Sequence, residues 1–117
     1  MSQSVGQAGE EYTAEWLSHH GYRVIERNYH SRFGEIDIIA VNSQYIVFVE
    51  VKTRQSNGMV SALEAITLQK QQKIITTAQV YLSQYQGNLQ PRFDVAAVTA
   101  QGGKPLGLKY FPNAFGS

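Results

Sequence analysis

Between Gly34 and Arg54, three acids and a lysine stand where strands ordinarily hold apolar side chains: Glu35, Asp37, Glu50 and Lys52. The stretch reads GEIDIIAVNSQYIVFVEVKTR, two apolar runs joined by a short polar turn. In the second run the two-residue period of a strand puts Ile46, Phe48, Glu50 and Lys52 on one face and Val47, Val49 and Val51 on the other. Both faces are therefore largely apolar, as in a central strand covered on each side. A carboxylate and an ammonium at the end of such a strand are costly unless paired or bound to a metal. In the first run Asp37 lies between Ile36 and Ile38, with Glu35 two positions earlier on the same face. Carboxylates converging on one end of a hairpin suit a hard, oxygen-seeking cation. An isolated E-x-K in a strand is more often a surface ion pair, so the case depends on what positions it.

Ser4 and Gln7 have capping-box spacing, which predicts a helix start. Val5, Ala8, Tyr12 and Trp16 recur at helical intervals with Leu17 beside them, until Gly21 supplies a stop. Gly6 and Gly9 weaken this helix by about 1 kcal/mol each relative to alanine, which suggests close packing or a close ligand. Glu10 occupies an edge of the stripe, in line with Ala14 and Leu17. Strands are predicted over Tyr22–Tyr29, Gly34–Val41, Tyr45–Thr53 and Arg92–Thr99, with a short one over Leu108–Phe111. Asn42-Ser43-Gln44 and Gly102-Gly103 are turns, and Ser56, Asn57 and Gly58 mark a loop. Ser61 to Glu64 repeats the capping-box spacing, and Thr67 is a further N-cap candidate. From Thr67 to Tyr85 a second helix carries Leu68, Ile75, Ala78, Leu82 and Tyr85 as its stripe, and Gly87 ends it.

The chain has 117 residues, the size of one domain, and its hydrophobic fraction of 43% is that of a soluble globular protein. A net charge of +1 permits a nucleic-acid partner only if the basic residues cluster. With no cysteine there is neither a disulfide framework nor a thiolate metal site. No apolar run approaches the roughly 20 residues that span a bilayer, and no signal pattern opens the chain, so no membrane partner and a cytoplasmic location are expected.

Glu10 on the first helix, Asp37 on the second strand and Glu50-x-Lys52 on the third resemble the PD-(D/E)xK nuclease superfamily. Among its families the chain is most similar to the bacterial YraN endonuclease family. The likeness covers Gly6, Gly9-Glu10, Gly21-Tyr22, Asn28, Gly34-Glu35-Ile36-Asp37, Phe48-Val49-Glu50-Val51-Lys52, Arg54, Lys70 and Arg92-Phe93-Asp94. Ile36 stands where the superfamily motif has proline. The spacing from Asp37 to Glu50 is also similar to that of archaeal Holliday junction resolvases. This resemblance implies an α/β, restriction-endonuclease-like core over residues 1–117, ordered helix, three strands, helix, strand or strands, with a mixed sheet flanked by helices.

It also implies phosphodiester hydrolysis with Mg²⁺ or Mn²⁺, on DNA rather than RNA and on structured or branched DNA. Asp37 and Glu50 would be the metal ligands, joined by the carbonyl of Val51 and by Glu10 directly or through water. Lys52 would orient or deprotonate the attacking water, or meet charge in the transition state. Arg32, Arg54, Lys70 and Gln71 are phosphate-contact candidates, with ordinary solvation as the alternative, and Lys73 is expected outside. Glu35 either supports the ligands, acts as a gate that excludes phosphate, or is structural. His19, His20 and His30 are read as surface residues, Trp16 as core, and Asp94 as an ion pair with Arg92. Cutting a junction symmetrically would need a homodimer. The rival readings are a catalytically silent nucleic-acid-binding module and an accessory subunit that works with a protein partner in DNA processing.

Overall fold

The computed structural model describes residues 4–55 and 66–116. Its elements are α1 (Val5–His19), β1 (Arg23–Ser31), β2 (Gly34–Val41), β3 (Tyr45–Gln55), α2 (Leu68–Leu82), β4 (Gln90–Gln101) and β5 (Lys104–Phe115). The strands form one sheet in the order β1-β2-β3-β4-β5. Only β3 and β4 run parallel, joined through α2, and the other neighbours are antiparallel. This is the mixed α/β arrangement of a restriction-endonuclease-like core. No described helix is long and apolar enough to cross a membrane.

Local chemistry accounts for the ends of the elements. Ser4 Oγ accepts the Gln7 N–H while Gln7 Oε1 accepts the Ser4 N–H, closing the predicted capping box. At the other end of α1, Gly21 takes a φ of 86°, where a side chain would be strained, and the Tyr22 N–H bonds the Leu17 carbonyl. Thr67 caps α2 by accepting the Lys70 N–H. Asn42 Oδ1 accepts the N–H groups of Gln44 and Tyr45 and so closes the β2–β3 turn. The proposed loop at Ser56, Asn57 and Gly58 and the capping box at Ser61 to Glu64 lie outside the described residues.

The alternation in β3 separates the two cores. Ile46 and Phe48 face α2 and pack with Ile36, Ile39, Ile74 and Ala78. Val47 and Val49 face α1 and pack with Leu17, Ile38 and Ala40. Each fully buried side chain of this size contributes about 1.5–3 kcal/mol. The expected stripes are met in part: Leu17 and Ala78 are fully buried, and Trp16, Leu82 and Tyr85 pack against the cores. The most buried lines also take in residues the apolar period passes over. In α1 the buried line is Gly9, Thr13 and Leu17, with Val5 and Tyr12 beside it. In α2 it is Ile74, Thr77 and Ala78, while Ile75 is half-buried and Leu68 is exposed. Threonines reach the interior because their hydroxyls bond the preceding turn: Thr13 to the Gly9 carbonyl and Thr77 to the Lys73 carbonyl, both at 2.8 Å. A reading by apolar residues alone skips them.

Gly9 brings α1 so close to β3 that a Cβ there would collide with the Thr53 side chain. At Gly6 nothing lies within 4 Å of such an atom. Gly6→Ala should therefore stabilise the protein by about 0.5–1 kcal/mol. Gly9→Ala should destabilise it by about 1–3 kcal/mol, because overpacking outweighs the helical gain. Urea midpoints moving in opposite directions would support this packing; a shared upward shift would refute it.

Candidate active site

The site is created by a fork in the sheet. β2 and β3 pair from Val41↔Ile46 to Ile38↔Val49, and there their ladder stops. β2 continues against β1 as far as Ser31↔Gly34, while β3 continues against β4 as far as Gln55↔Ala100. The first residues beyond the last β2–β3 pair are Asp37 and Glu50. Asp37 fills the gap with its side chain: Oδ2 accepts the Val51 N–H at 2.8 Å, where a strand carbonyl would otherwise serve. The N–H and C=O of one strand residue point to the same neighbour. The carbonyl of Val51 therefore also faces the fork.

Glu50 is 5% exposed and stands on the α2 side of β3. Lys70 Nζ, from the first turn of α2, lies 3.2 Å from its Oε2, and Lys52 Nζ lies 3.8 Å away. Burial and the neighbouring Glu50 carboxylate push Asp37 up to about 7. The Val51 N–H and Lys70 act in the opposite direction but more weakly. Asp37 and Glu50 are thus two crowded acids, one of which holds a proton in a range where aspartate is ordinarily ionised.

Glu10 is half-buried at the edge of α1. Burial first, and then the Asp37 charge, raise its carboxyl above the usual range, against pulls from Arg27 and an Asn28 side-chain hydrogen bond. Among the described residues no three His, Cys, Asp or Glu side chains converge tightly enough to hold one ion. Glu10 therefore feels Asp37 without completing a three-carboxylate cage. The remaining donor set, two carboxylates and the Val51 carbonyl, still fits Mg²⁺ or Mn²⁺, since Mg²⁺ is commonly held by one or two carboxylates and retains waters. The mutual repulsion of Asp37 and Glu50 is what a divalent cation would relieve.

Other candidates separate. Arg32 and Lys70 line one cleft beside the fork, and Lys73, expected outside, lines it too. Arg54 lies on the Glu50 and Lys52 face by strand alternation, half-buried, its Nε without a hydrogen bond among the described residues. Gln71 donates its amide to the Ile66 carbonyl at 3.1 Å and anchors the approach to α2. Glu35 turns away: its carboxylate is 3.1 Å from His30 Nδ1 and its side chain is 58% exposed. Asp94 is fully buried and accepts from Arg92 Nε and Nη2, Tyr110 Oη and the Asn113 N–H. It is the structural ion pair expected of it, and it raises the Arg92 guanidinium further. A cavity of about 630 Å³ lined by Tyr45, Gln90, Arg92 and Asn113 sits near the start of β3, at the opposite end from Glu50.

Sequence reasoning gave Asn28 no role. It lies in β1 opposite Asp37, between the pairs Arg27↔Ile38 and Tyr29↔Ile36, with a φ of 53°. Asparagine is among the few residues that tolerate this region, and such strain concentrates at functional sites. The available signal was an asparagine inside a strand, where it is disfavoured.

The profile of "Uncharacterised protein family UPF0102" matches residues 9–98. A UPF0102 protein of Prosthecochloris aestuarii is 46% identical over 108 residues, covering 92% of this chain and 85% of its own. One from Alkaliphilus metalliredigens is 44% identical over 117 residues, covering 98% of this chain and all of its own. One from Dictyoglomus turgidum is 39% identical over 116 residues, covering 97% and 98%.

Proposed function

The chain belongs to the uncharacterised UPF0102 (YraN) family, and on that premise we propose that it is a metal-dependent endonuclease acting on structured or branched DNA. The observation that carries this reading is the fork: Asp37 and Glu50 meet where β2 and β3 part, with Lys52 and Lys70 against Glu50. Asp37, Glu50 and the Val51 carbonyl would hold Mg²⁺ or Mn²⁺, with Glu10 reaching the group through water. The bound ion would acidify the attacking water and offset charge on the phosphate. Lys52 is placed beside the same carboxylate, where its ammonium can orient that water, take its proton or meet the charge growing on phosphorus. Lys70 adds a second cation at the fork, and Arg32 a third along the adjoining cleft.

A second reading draws on the two-carboxylate geometry. With no cluster of three acids among the described residues, the domain could bind nucleic acid without turnover, or act only beside a protein partner. A panel of labelled junctions, flaps, duplexes and single strands of DNA and RNA, incubated with Mn²⁺, separates these readings. Metal-dependent cutting of branched DNA supports the nuclease. Binding without cutting favours the silent module, and cutting only after a cell fraction is added favours the accessory subunit.

The Asp37 and Glu50 pair also predicts a pH effect without metal. The folded protein keeps the Asp37 proton up to about pH 7, whereas an unfolded aspartate releases it near pH 3.8. Between these values the folded state binds more protons, so stability falls as pH rises through that window, by on the order of 2–4 kcal/mol. Asp37→Asn should flatten the slope, and Mn²⁺ at about 100 times its dissociation constant should restore about 2.7 kcal/mol near neutrality. Urea unfolding at several pH values measures both; an unchanged slope in the variant would show that the pair is not strained.

A further inference from the structure

A cleft of about 430 Å³ lies between the turn joining β1 to β2 and the first turns of α2, beside Glu50. We propose that this cleft takes an unpaired nucleic-acid strand, with a base stacked on Phe33 and its phosphates on Arg32, Lys70 and Lys73. The inference deepens the nuclease reading by naming the strand feature the site selects, and it rests on that reading for the choice of nucleic acid as ligand.

Phe33 is 41% exposed even though the Arg32 guanidinium lies 4.9 Å over its ring. A single exposed aromatic is unremarkable on a protein surface. This one stands on an anchored turn and is set among cations. Its N–H bonds Ser31 Oγ at 3.1 Å, and Ser31 Oγ lies 3.3 Å from Thr77 Oγ1 of α2. A Cβ on Gly34 would meet Thr77 Oγ1 at 3.2 Å and the Lys73 Cβ at 3.5 Å, so the turn lies directly on α2. The turn that carries the ring is therefore anchored on α2, in the same cleft as Lys70 and Lys73.

The charges along the cleft favour an anion. Among the described lining residues three are cations, Arg32, Lys70 (shared with Glu50) and Lys73, against one acid, Glu35, which lies at the His30 edge. A row of cations beside an exposed aromatic is how proteins hold single strands, the cations following the backbone and the ring receiving a base. A paired base is already stacked on its neighbours and gains little from the ring. An unpaired base at a flap, a bulge or a junction centre gains the full contact. Lys70 links the two sites, since the same ammonium lines the cleft and lies against Glu50.

Fluorescence anisotropy with a labelled single-stranded DNA oligonucleotide and the duplex of the same sequence, in Ca²⁺ buffer, tests this by binding alone. Phe33→Ala should weaken single-strand binding about tenfold and leave duplex binding unchanged. Phe33→Trp should retain the affinity, and its added fluorescence should be quenched by the single strand. Lys73→Gln should weaken both probes and lower the salt slope by about one. Unchanged melting temperatures would show that the variants are folded. Wild-type single-strand affinity in Phe33→Ala, equal losses on both probes, or equally good binding of a polyglutamate peptide would each overturn the proposal. Because no cleavage is read, Phe33-dependent binding by a protein that never cuts would sink the nuclease reading alone. Cutting by a protein whose binding ignores Phe33 would sink this inference alone.

Discussion

Lys52→Ala should slow strand cleavage by about 10²–10⁴-fold, the range for losing a group that handles the proton or the developing charge. Asp37→Ala should lose at least as much, because it removes a metal ligand and also the acceptor of the Val51 N–H. The two variants differ in a second measurement. Lys52→Ala should keep the rise in melting temperature on adding Mn²⁺, since its ammonium is no ligand, whereas Asp37→Ala should lose it. Glu15→Ala is the control: that residue is exposed on α1 and lines neither the fork nor the adjoining cleft, so cutting should be unaffected. Cleavage by both test variants at the wild-type rate would remove the fork as the catalytic centre while leaving the fold intact.

The largest expected effect on stability lies away from the fork. Asp94→Ala should cost about 3–5 kcal/mol, the usual result of deleting one member of a buried ion pair. The Arg92 side chain is only 13% exposed and would lose both bonds to the carboxylate. Tyr110 Oη and the Asn113 N–H would lose their acceptor as well. Against the 5–15 kcal/mol typical of a domain, that loss leaves little margin. Tyr110→Phe removes one of several donors to the carboxylate and should cost less, about 1.5–3 kcal/mol. Urea denaturation followed by circular dichroism measures both, and a wild-type midpoint for Asp94→Ala would mean that the network adds nothing. Arg92 also bonds Tyr22 Oη and lies 4.5 Å over the Tyr45 ring, so the same loss should loosen the contact between the end of α1 and the start of β3.

Much of the architecture was readable from neighbouring residues. The bounds of β2 are those expected, and β3 begins where expected, because Asn42 to Gln44 form a turn whose bonds are made locally. The caps at Ser4 and Thr67 follow from side chains three residues from the N–H groups they accept. β4 and β5 extend further than their apolar patterns suggested, since pairing along the sheet carries strand geometry through Gln90, Lys104 and Pro105. The helix stripes are legible only in part. Leu17 and Ala78 are buried as their spacing suggests, while Gly9, Thr13, Ile74 and Thr77 are buried beside them without an apolar pattern to mark the line. Gly9 in one and Thr77 in the other are buried through contacts with residues far along the chain, Thr53 and Gly34.

By itself the sequence determined the order of helices and strands and the unusual placement of Asp37, Glu50 and Lys52 in apolar strands. Both follow from hydrophobic period and the cost of buried charge, which act residue by residue. Tertiary structure alone decided that β2 and β3 part beyond Ile38 and Val49. It also brought Lys70 to Glu50, placed Asn28 opposite Asp37, and put Lys73 in the cleft with Phe33. Those outcomes depend on where each strand finds its next partner and how each helix turns on the sheet. Such choices balance contacts between distant segments, and no local pattern encodes them.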